Sequence, residues 1–466
     1  MSREDAVAGL ANLRTRLATY RKMRDYREGR HPLMFATRVF EQFYEEVIRD
    51  YRLNLMPGVI SAPADRMSID GWEGNTDVAQ QAWEDRGGHS LANRVHREMF
   101  GQGDGYTLTW PAGGKVDGPS IPQALRAEEA TVIYDDETPG VIRYGIKTWT
   151  QGDRTRINVY YPDIVERWQT SEKAAAKVLA GKALEVDDLE PCNDDTGPTV
   201  RHSYGRVPLV HFANGDEIGD YGRSILTEAI PAQDALNKHA IDILVASESI
   251  GFPLRALLGF AVEEEPVLDE DGQPRRDEYG HAEMRPVNLP DYDPRLDRFM
   301  AFAGENTKLI QLDPGDIRQL LEVKDSAALD IARAPGIPLH YLIPMTGEVP
   351  SGEALRVVER RLTSLVTNQQ QTTTRPWTDQ MELLGIDARP RWADPTSMDV
   401  TEMWELVRIK VEVGVPLKQA LIETGHYTEA EVDDFMQAAV DADREVGARM
   451  MQAFRNGQDP AQLVRG

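Results

Sequence analysis

A single cysteine, Cys192, leaves this 466-residue chain without an intrachain disulfide and predicts a reducing compartment. Basic residues are also short: 52 Lys and Arg stand against 77 Asp and Glu, a formal net charge of −25. Sequence-specific DNA-binding surfaces normally carry the opposite sign, because phosphate contacts require Lys and Arg. The balance therefore argues against that class and fits either plain solubility or a need to avoid adhering to a polyanion. No apolar run reaches the roughly 20 residues of a membrane-spanning helix. The longest candidate, "PLRALLGFAV" at 253–262, is too short, so no membrane association is expected. The opening "MSREDAVAGL" has neither a basic n-region nor an apolar h-region, so no secretory signal is expected. Hydrophobic content of 41% with 28% charged residues reads as globular. The length calls for about two to four folding units.

Catalytic signatures are missing in the same way. "GRS" at 222–224 lacks the second glycine of a nucleophile elbow. "AGGKV" at 112–116 has Gly114-Lys115, but Thr109 stands where a P-loop needs its first glycine, and no Ser or Thr follows the lysine. "GQGDGY" places Tyr106 where a third dinucleotide-binding glycine belongs. "DEDGQPRRDEYG" resembles a calcium loop only at Asp269 and Asp271, because Pro274 and Gly280 occupy its sixth and twelfth positions. The acidic pairs Asp135-Asp136, Asp187-Asp188 and Asp194-Asp195 sit in turn-like contexts and read as solvated surface. His89 and His96 are not in a zinc-binding pattern. No catalytic, cofactor-binding or metal-ligating residue is nominated.

What is present is an ordered succession of elements. Residues 3–52 read as two helices separated by "GRHPLM", and 76–100 as a helical stretch interrupted at Gly87-Gly88. "GYTLTW", "ATVIYDD", "GVIRYGIKTWT", "TRINVYYP" and "IVERWQT" are short, β-branched and aromatic, and are divided by turns such as "DDETPG" and "QGDR". They predict an antiparallel sheet, with "RVPLVHFAN" as one more strand. Pro231 fits the first turn of a helix reaching about Glu248, with Leu236, Ala240, Ile243 and Leu244 on one face. Residues 252–312 mix strands and prolines, suggesting a small α/β module with "DEDGQPRRDEYG" as an exposed tip. A helix is expected from about Asp316 to Arg333, and two or three more fill 400–455. No internal repeat is evident.

The stretch "IPMTGEVPSGEALRVVERRL", 343–362, joins a pliable loop to a long helix. Ser351 stands at the N-cap, Glu353 in the first turn, and Leu355, Val358, Leu362 and Leu365 follow as a stripe. The helix is expected to reach Leu384, roughly 50 Å at the usual rise, with a kink at Pro376. Its polar second half, "VTNQQQTTTR", has lost the apolar stripe.

Taken in order, these pieces resemble the portal proteins of bacteriophages, specifically those of siphophages with Gram-positive hosts. The resemblance rests on "YRKMRDYREGRHPL", "NLMPGVISAPADRMSIDGW", "QQAWEDRGGHSLANRVHREMFGQGDGYTLTWP", "VIYDDETPGVIRYGIKTW" with "NVYYPDIVERW", and "VPSGEALRVVERRL". Its most recognisable part is "GRVPLVHFANGDEIGDYGRSILTEAIPAQDALNKHAIDIL", a strand, then "G-x-S" and a helix carrying Asn237.

The resemblance implies an α+β, mostly helical portal-type fold with wing, stem, clip and crown, assembling as a ring of about twelve copies. By analogy the wing is 1–220, the first stem helix 221–251, the clip 252–312, the second stem helix 313–340, the tunnel loop 341–352, the long wing helix 353–395, and the crown and tail 396–466. Thr346, Gly347, Glu348, Val349 and Ser351 would belong to the loop facing the DNA channel, and Asp234, Asn237 and Lys324 to the stem. The implied role is a capsid-vertex channel, assembled in the host cytoplasm, for packaging and ejecting double-stranded DNA. The implied partners are further copies of the chain, the major capsid protein, the terminase large subunit and a neck adaptor, with a scaffolding protein as an additional option. No cofactor and no catalysis are implied. The acidity then gains a meaning, since a basic tube would hold phosphates and stall their passage. Two other readings stand beside it: a soluble carboxylate-based hydrolase, which needs convergent acids in a pocket, and a minor head protein without a channel.

Overall fold

The computed structural model describes residues 3–33, 53–111, 118–179, 182–193, 197–215, 221–251, 255–260, 264–269, 272–277, 279–286, 299–303, 308–311, 317–344, 352–396, 400–425, 427, 432–438 and 440–441. The chain divides into two compact units. One comprises Met1–Thr15, Ser61–Arg223 and Met345–Gly466; the other comprises Arg16–Ile60 and Ser224–Pro344. The helix Arg3–Arg27 runs from the first into the second. The second helix expected within 3–52 falls on 34–52, outside the described residues.

In the first unit the largest sheet orders Ala130–Tyr134, Ile142–Gln151, Arg154–Tyr160, Ile164–Thr170 and Leu189–Pro191 antiparallel, with Thr199–Arg201 also pairing Ile164–Thr170. Alternate side chains of these β-branched strands face one core, where Ile146, Ile157 and Val159 meet Ala6 and Leu10 of the first helix. Tyr161 Oη donates to Asp5 Oδ2 at 2.7 Å and ties the start of that helix to the sheet. Asp188, expected on solvated surface, is instead buried: its carboxylate takes both oxygens to Lys177 Nζ and accepts the Glu185 backbone N–H. A short helix and a 3₁₀ turn beside the sheet edge create that pocket, and nothing in the acidic run announces them.

A second sheet of Leu209–Ala213, Asp104–Pro111 and Ser120–Leu125 packs against the helix Gly88–Gln102. The interruption at Gly87-Gly88 has two causes. Gly87 takes φ 63°, where a side chain is strained, and a Cβ on Gly88 would lie 2.0 Å from the indole of Trp83. A two-stranded pair, Ile69–Gly74 with Ala388–Trp392, joins distant parts of the chain.

The helix Gly352–Leu383 continues through Pro376. Its buried stripe is not the expected one. Leu362, Val366, Gln369, Thr373, Trp377, Gln380 and Met381 are buried, whereas Val358 is 55% exposed. Gln369–Thr374 therefore do not simply run out to water. The 3.6-residue turn carries the inward stripe across them; hydrogen bonds hold Gln370 and Thr373, while Gln369 Oε1 is buried with no partner among the described residues. Thr373 Oγ1 donates to Gln369 O at 2.6 Å and Gln370 Nε2 to Ala393 O at 2.9 Å. Thr367, Thr372, Thr374 and Thr378 likewise return their hydroxyls to carbonyls four residues back. Beyond the strand at 388–392, Val400–Glu412 and Leu417–Gly425 pack through Val407, Ala420 and Leu421 with Val432.

In the second unit, Ile230–Gly251 packs against Ile317–Arg333. Their buried faces include Leu236, Ala240 and Ile241 on one helix and Ala327, Ala328, Ile331 and Ala332 on the other, small residues that permit close approach. Between these helices in sequence, Arg255–Phe260 pairs parallel with Phe299–Ala303 and antiparallel with Lys308–Gln311. Among the described residues this region carries strands and no helix.

That insertion, Glu264–Pro286, contains a repeat too short to stand out in sequence. Three backbone hydrogen bonds of 2.7 Å form a cycle: Val267 N to Glu283 O, Glu283 N to Arg275 O, and Arg275 N to Val267 O. From the cycle rise two like turns. In one, Asp269 Oδ1 accepts Gln273 N at 2.8 Å; in the other, Asp277 Oδ1 accepts His281 N at 2.9 Å. Gly272 and Gly280 hold corresponding positive φ angles of 77° and 85°. The described residues of "DEDGQPRRDEYG" are exposed, as expected, and the Asp269 carboxylate closes a turn.

Candidate functional site

The loop residues Thr346, Gly347, Glu348, Val349 and Ser351 lie outside the described residues. The other three sequence-nominated residues are described, and the structure separates them. Asp234 and Asn237 are buried in the first turns of the helix Ile230–Gly251; Lys324 is half-buried on Ile317–Arg333, 3.4 Å from Asp325.

Asp234 and Asn237 belong to a polar anchorage inside the second unit. Pro231 fixes the first helical turn, so Gln233, Asp234 and Asn237 present hydrogen-bonding groups beside the apolar residues Leu236 and Ala240. Asn237 Oδ1 accepts the Leu53 N–H at 3.1 Å, and its amide nitrogen lies 3.0 Å from His31 Nε2. Gln233 takes both sides of the same extended segment: Oε1 accepts Leu55 N at 3.0 Å, and Nε2 donates to Leu53 O at 2.6 Å. Asn54 in turn donates from Nδ2 to the carbonyls of Tyr26 and Arg27 at the end of the first helix.

Tyr26 Oη donates to Asp234 Oδ1 and Oδ2 at 2.9 and 3.0 Å, and its ring stacks on His31 at 4.2 Å. Burial, followed by the hydrogen bond to Asp234, pushes the Tyr26 phenol well above its usual range, so it remains a donor. Burial pushes the Asp234 carboxyl up, while the Tyr26 hydroxyl, His31 and Lys22 pull it back. The arrangement orients chain segments and presents no nucleophile beside a base. Sequence reading flagged Asp234 and Asn237 but missed Tyr26, His31 and Gln233; the available signal was the polar run beside an apolar helical face.

A second polar cluster is likewise structural. In the first unit, Asp104 Oδ1 lies 2.7 Å from His211 Nε2 and accepts Gly222 N at 2.8 Å, and Tyr134 Oη is 2.7 Å from His211 Nδ1. This holds Gly222 of the "G-x-S" motif beside a sheet strand. Among the described residues no group of His, Cys, Asp or Glu could hold a metal ion, and no helix is long and apolar enough to cross a membrane.

The family model for "Phage portal protein, SPP1 Gp6-like" matches residues 63–384, more than half of the chain. No curated protein matches by direct comparison. Among solved structures, a chain from the neck of an empty gene transfer agent (GTA) particle is similar at 17% identity and TM-score 0.47, over 80% of this chain and 90% of that one. A chain from the neck of a native GTA particle is similar at 15% identity and TM-score 0.44, over 80% and 89% respectively. A chain from the virion of a native GTA particle gives 15% identity and TM-score 0.45 over the same shares. The matched span takes in the two larger antiparallel sheets of the first unit, both packed helices of the second unit and the long helix. The chain belongs to the SPP1 Gp6-like phage portal protein family and is a structural, non-enzymatic component of the phage capsid.

Proposed function

We propose that copies of this chain close into a ring of about twelve subunits at one capsid vertex, and that double-stranded DNA is packaged and ejected through its centre. The observation that carries this reading is the family match over 63–384. The charge supports it: about 300 negative formal charges on such a ring oppose tight phosphate binding along the channel. Exposed apolar side chains support assembly. Leu406 and Ile409 on the helix Val400–Glu412, with Val413 in the turn that follows, are exposed on the side away from the core that Val407 enters.

In this reading residues 1–220 form the wing, with 353–395 as its long helix. Residues 221–251 and 313–340 are the stem, 252–312 the clip, 341–352 the tunnel loop, and 396–466 the crown and tail. Thr346, Gly347, Glu348, Val349 and Ser351 face the DNA. Asp234 and Asn237 lock the first stem helix to Tyr26 and to the segment 53–55. Lys324 contributes to the stem surface. The clip meets the terminase large subunit and later a neck adaptor, and the wing meets the major capsid protein and any scaffolding protein.

Negative-stain imaging with native mass measurement tests the core of this. Rings with a central opening and a mass near 600 kDa, about twelve times the 52.3 kDa chain, are expected. A monodisperse monomer at micromolar concentration across several salt conditions overturns it.

A further inference from the structure

The helices Val400–Glu412 and Leu417–Gly425 belong to a small module whose buried core is Val407, Ala420, Leu421 and Val432. Ile409 lies two positions past Val407, so it leaves the helix on nearly the opposite side. It is 48% exposed there, and Leu406 and Val413 are exposed beside it. A helix apolar on two sides is normally packed on two sides. In a free copy, apolar surface of this kind also invites indiscriminate association.

The charges around that face are one-sided. Among the described side chains of 400–441, Glu405, Glu412, Glu423, Asp433, Asp434 and Asp441 are exposed acids, against the cations Arg408, Lys410 and Lys418. Each cation is already engaged. Lys410 lies 2.9 Å from Glu423 and Lys418 2.7 Å from Asp433, while Arg408 reaches Glu405 and Glu412 only at 3.8 and 4.0 Å. Glu405 and Glu412 stand one turn before and one turn after Ile409, and both carboxylates remain mostly exposed. The complement of such a face is an apolar segment that brings its own cations.

A segment of that kind follows in the same chain. It lies outside the described residues, and its pattern is read from the sequence. From Val446 to Gln458 the charged residues are Arg449 and Arg455 alone. Val446, Met450 and Phe454 recur at intervals of four, the spacing that shares one side of a helix. Fully extended, the chain from Asp441 to Phe454 reaches roughly 45 Å, about twice the length of the helix Val400–Glu412.

We propose that in a free copy this segment folds back over Leu406, Ile409 and Val413, and that a neighbouring copy displaces it when the ring closes. Arg449 and Arg455 then meet the carboxylates of Glu405 and Glu412. Tethering selects the occupant, because it holds the segment at an effective concentration on the order of millimolar, above that of separate copies in solution. In the ring, many subunit contacts formed together outweigh the single tethered one. The proposal rests on the ring reading and adds a control on when this face becomes available.

The test uses the full chain, first below its assembly concentration. Cys192 is buried, so Ile409→Cys supplies the accessible thiol. Its labelling by a maleimide is expected to speed about tenfold when Arg449→Glu/Arg455→Glu, or separately Met450→Asp/Phe454→Asp, is added. A short bismaleimide joining Ile409→Cys to Phe454→Cys, in mixtures of isotopically light and heavy copies, is expected to link positions within one copy. With Ile409 retained, Arg449→Glu/Arg455→Glu is expected to assemble at a subunit concentration about tenfold below that of the wild type. Labelling unchanged in both variants overturns the cover. Links only between light and heavy copies overturn it in favour of a neighbour's segment. An unchanged assembly concentration overturns the control. If the wild-type chain never assembles, the ring reading itself fails, while labelling and linking still decide the cover.

Discussion

Trp377 donates its indole N–H to Nε2 of His96 across 3.0 Å, and both side chains are fully buried. The pair lies among Trp83, Trp392 and Phe212, joining the long helix to the helix Gly88–Gln102. His96 can accept that proton only while Nε2 is unprotonated, and burial lowers its pKa from 6.5 to about 3.

An acid sensitivity follows from that shift. The folded-state value lies below the unfolded one, so the unfolded chain takes up the proton first. Stability attributable to His96 is complete above about pH 6.5 and falls as pH drops toward about 3. Between about pH 6.5 and 4 the loss should be on the order of 3 kcal/mol. Denaturant midpoints measured across that range should fall in the wild type and fall less steeply in His96→Phe. Equal slopes would place the sensitivity elsewhere.

The anchorage at the start of the helix Ile230–Gly251 should behave as a coupled unit. Asn237→Leu strands the Leu53 N–H and should cost about 1–3 kcal/mol. Tyr26→Phe and Asp234→Ala should show a coupling of roughly 1 kcal/mol or more in a double-mutant cycle, because each removes the other's partner. Additive effects in equilibrium unfolding would show that the Tyr26–Asp234 contact contributes little.

The ribbon Glu264–Pro286 should be separable from assembly. Its side chains are largely exposed and its backbone hydrogen bonds close upon themselves. Replacing the tip 269–281 by a short turn should leave the particle mass unchanged. Failure to assemble would make the tip an assembly element. Within the ribbon, Gly272→Ala or Gly280→Ala should loosen one turn by roughly 1–2 kcal/mol, seen as faster amide exchange there.

For the loop before the long helix the prediction rests on sequence. Glu348→Lys in every subunit would put a ring of positive charge around the DNA and slow packaging or ejection most at low salt. Normal packaging at low salt would remove this loop from the channel.

Local patterning made much of this architecture legible. Alternation of β-branched residues and Gly- or Asp-rich turns marked the strands Asp104–Pro111, Ala130–Tyr134, Ile142–Gln151, Arg154–Tyr160 and Ile164–Thr170 but not Ser120–Leu125, and Pro231 marked the start of a helix. The composition also determined that no disulfide framework and no long apolar span would organise the chain. Order along the chain, more than any single motif, pointed to the portal family.

Partners were another matter. Asp70 and Arg391 are 321 positions apart, and nothing near either one predicts that their strands pair. The parallel pairing of Arg255–Phe260 with Phe299–Ala303 and the burial of Asp188 were likewise invisible. The long helix shows why. Reading hydrophobicity alone put its inner face along Leu355, Val358, Leu362 and Leu365, but the face that packs runs through Leu362, Val366, Gln369, Thr373 and Trp377. Gln370, Thr373 and Gln380 lie inward there because neighbouring carbonyls and hydroxyls take their hydrogen bonds, whereas Gln369 Oε1 is buried with no partner among the described residues. The sequence determined that a helix forms, since the period and propensities that make one are local. Which of its faces is inside was decided by the tertiary structure, because burying a polar side chain costs little only once distant partners are in place.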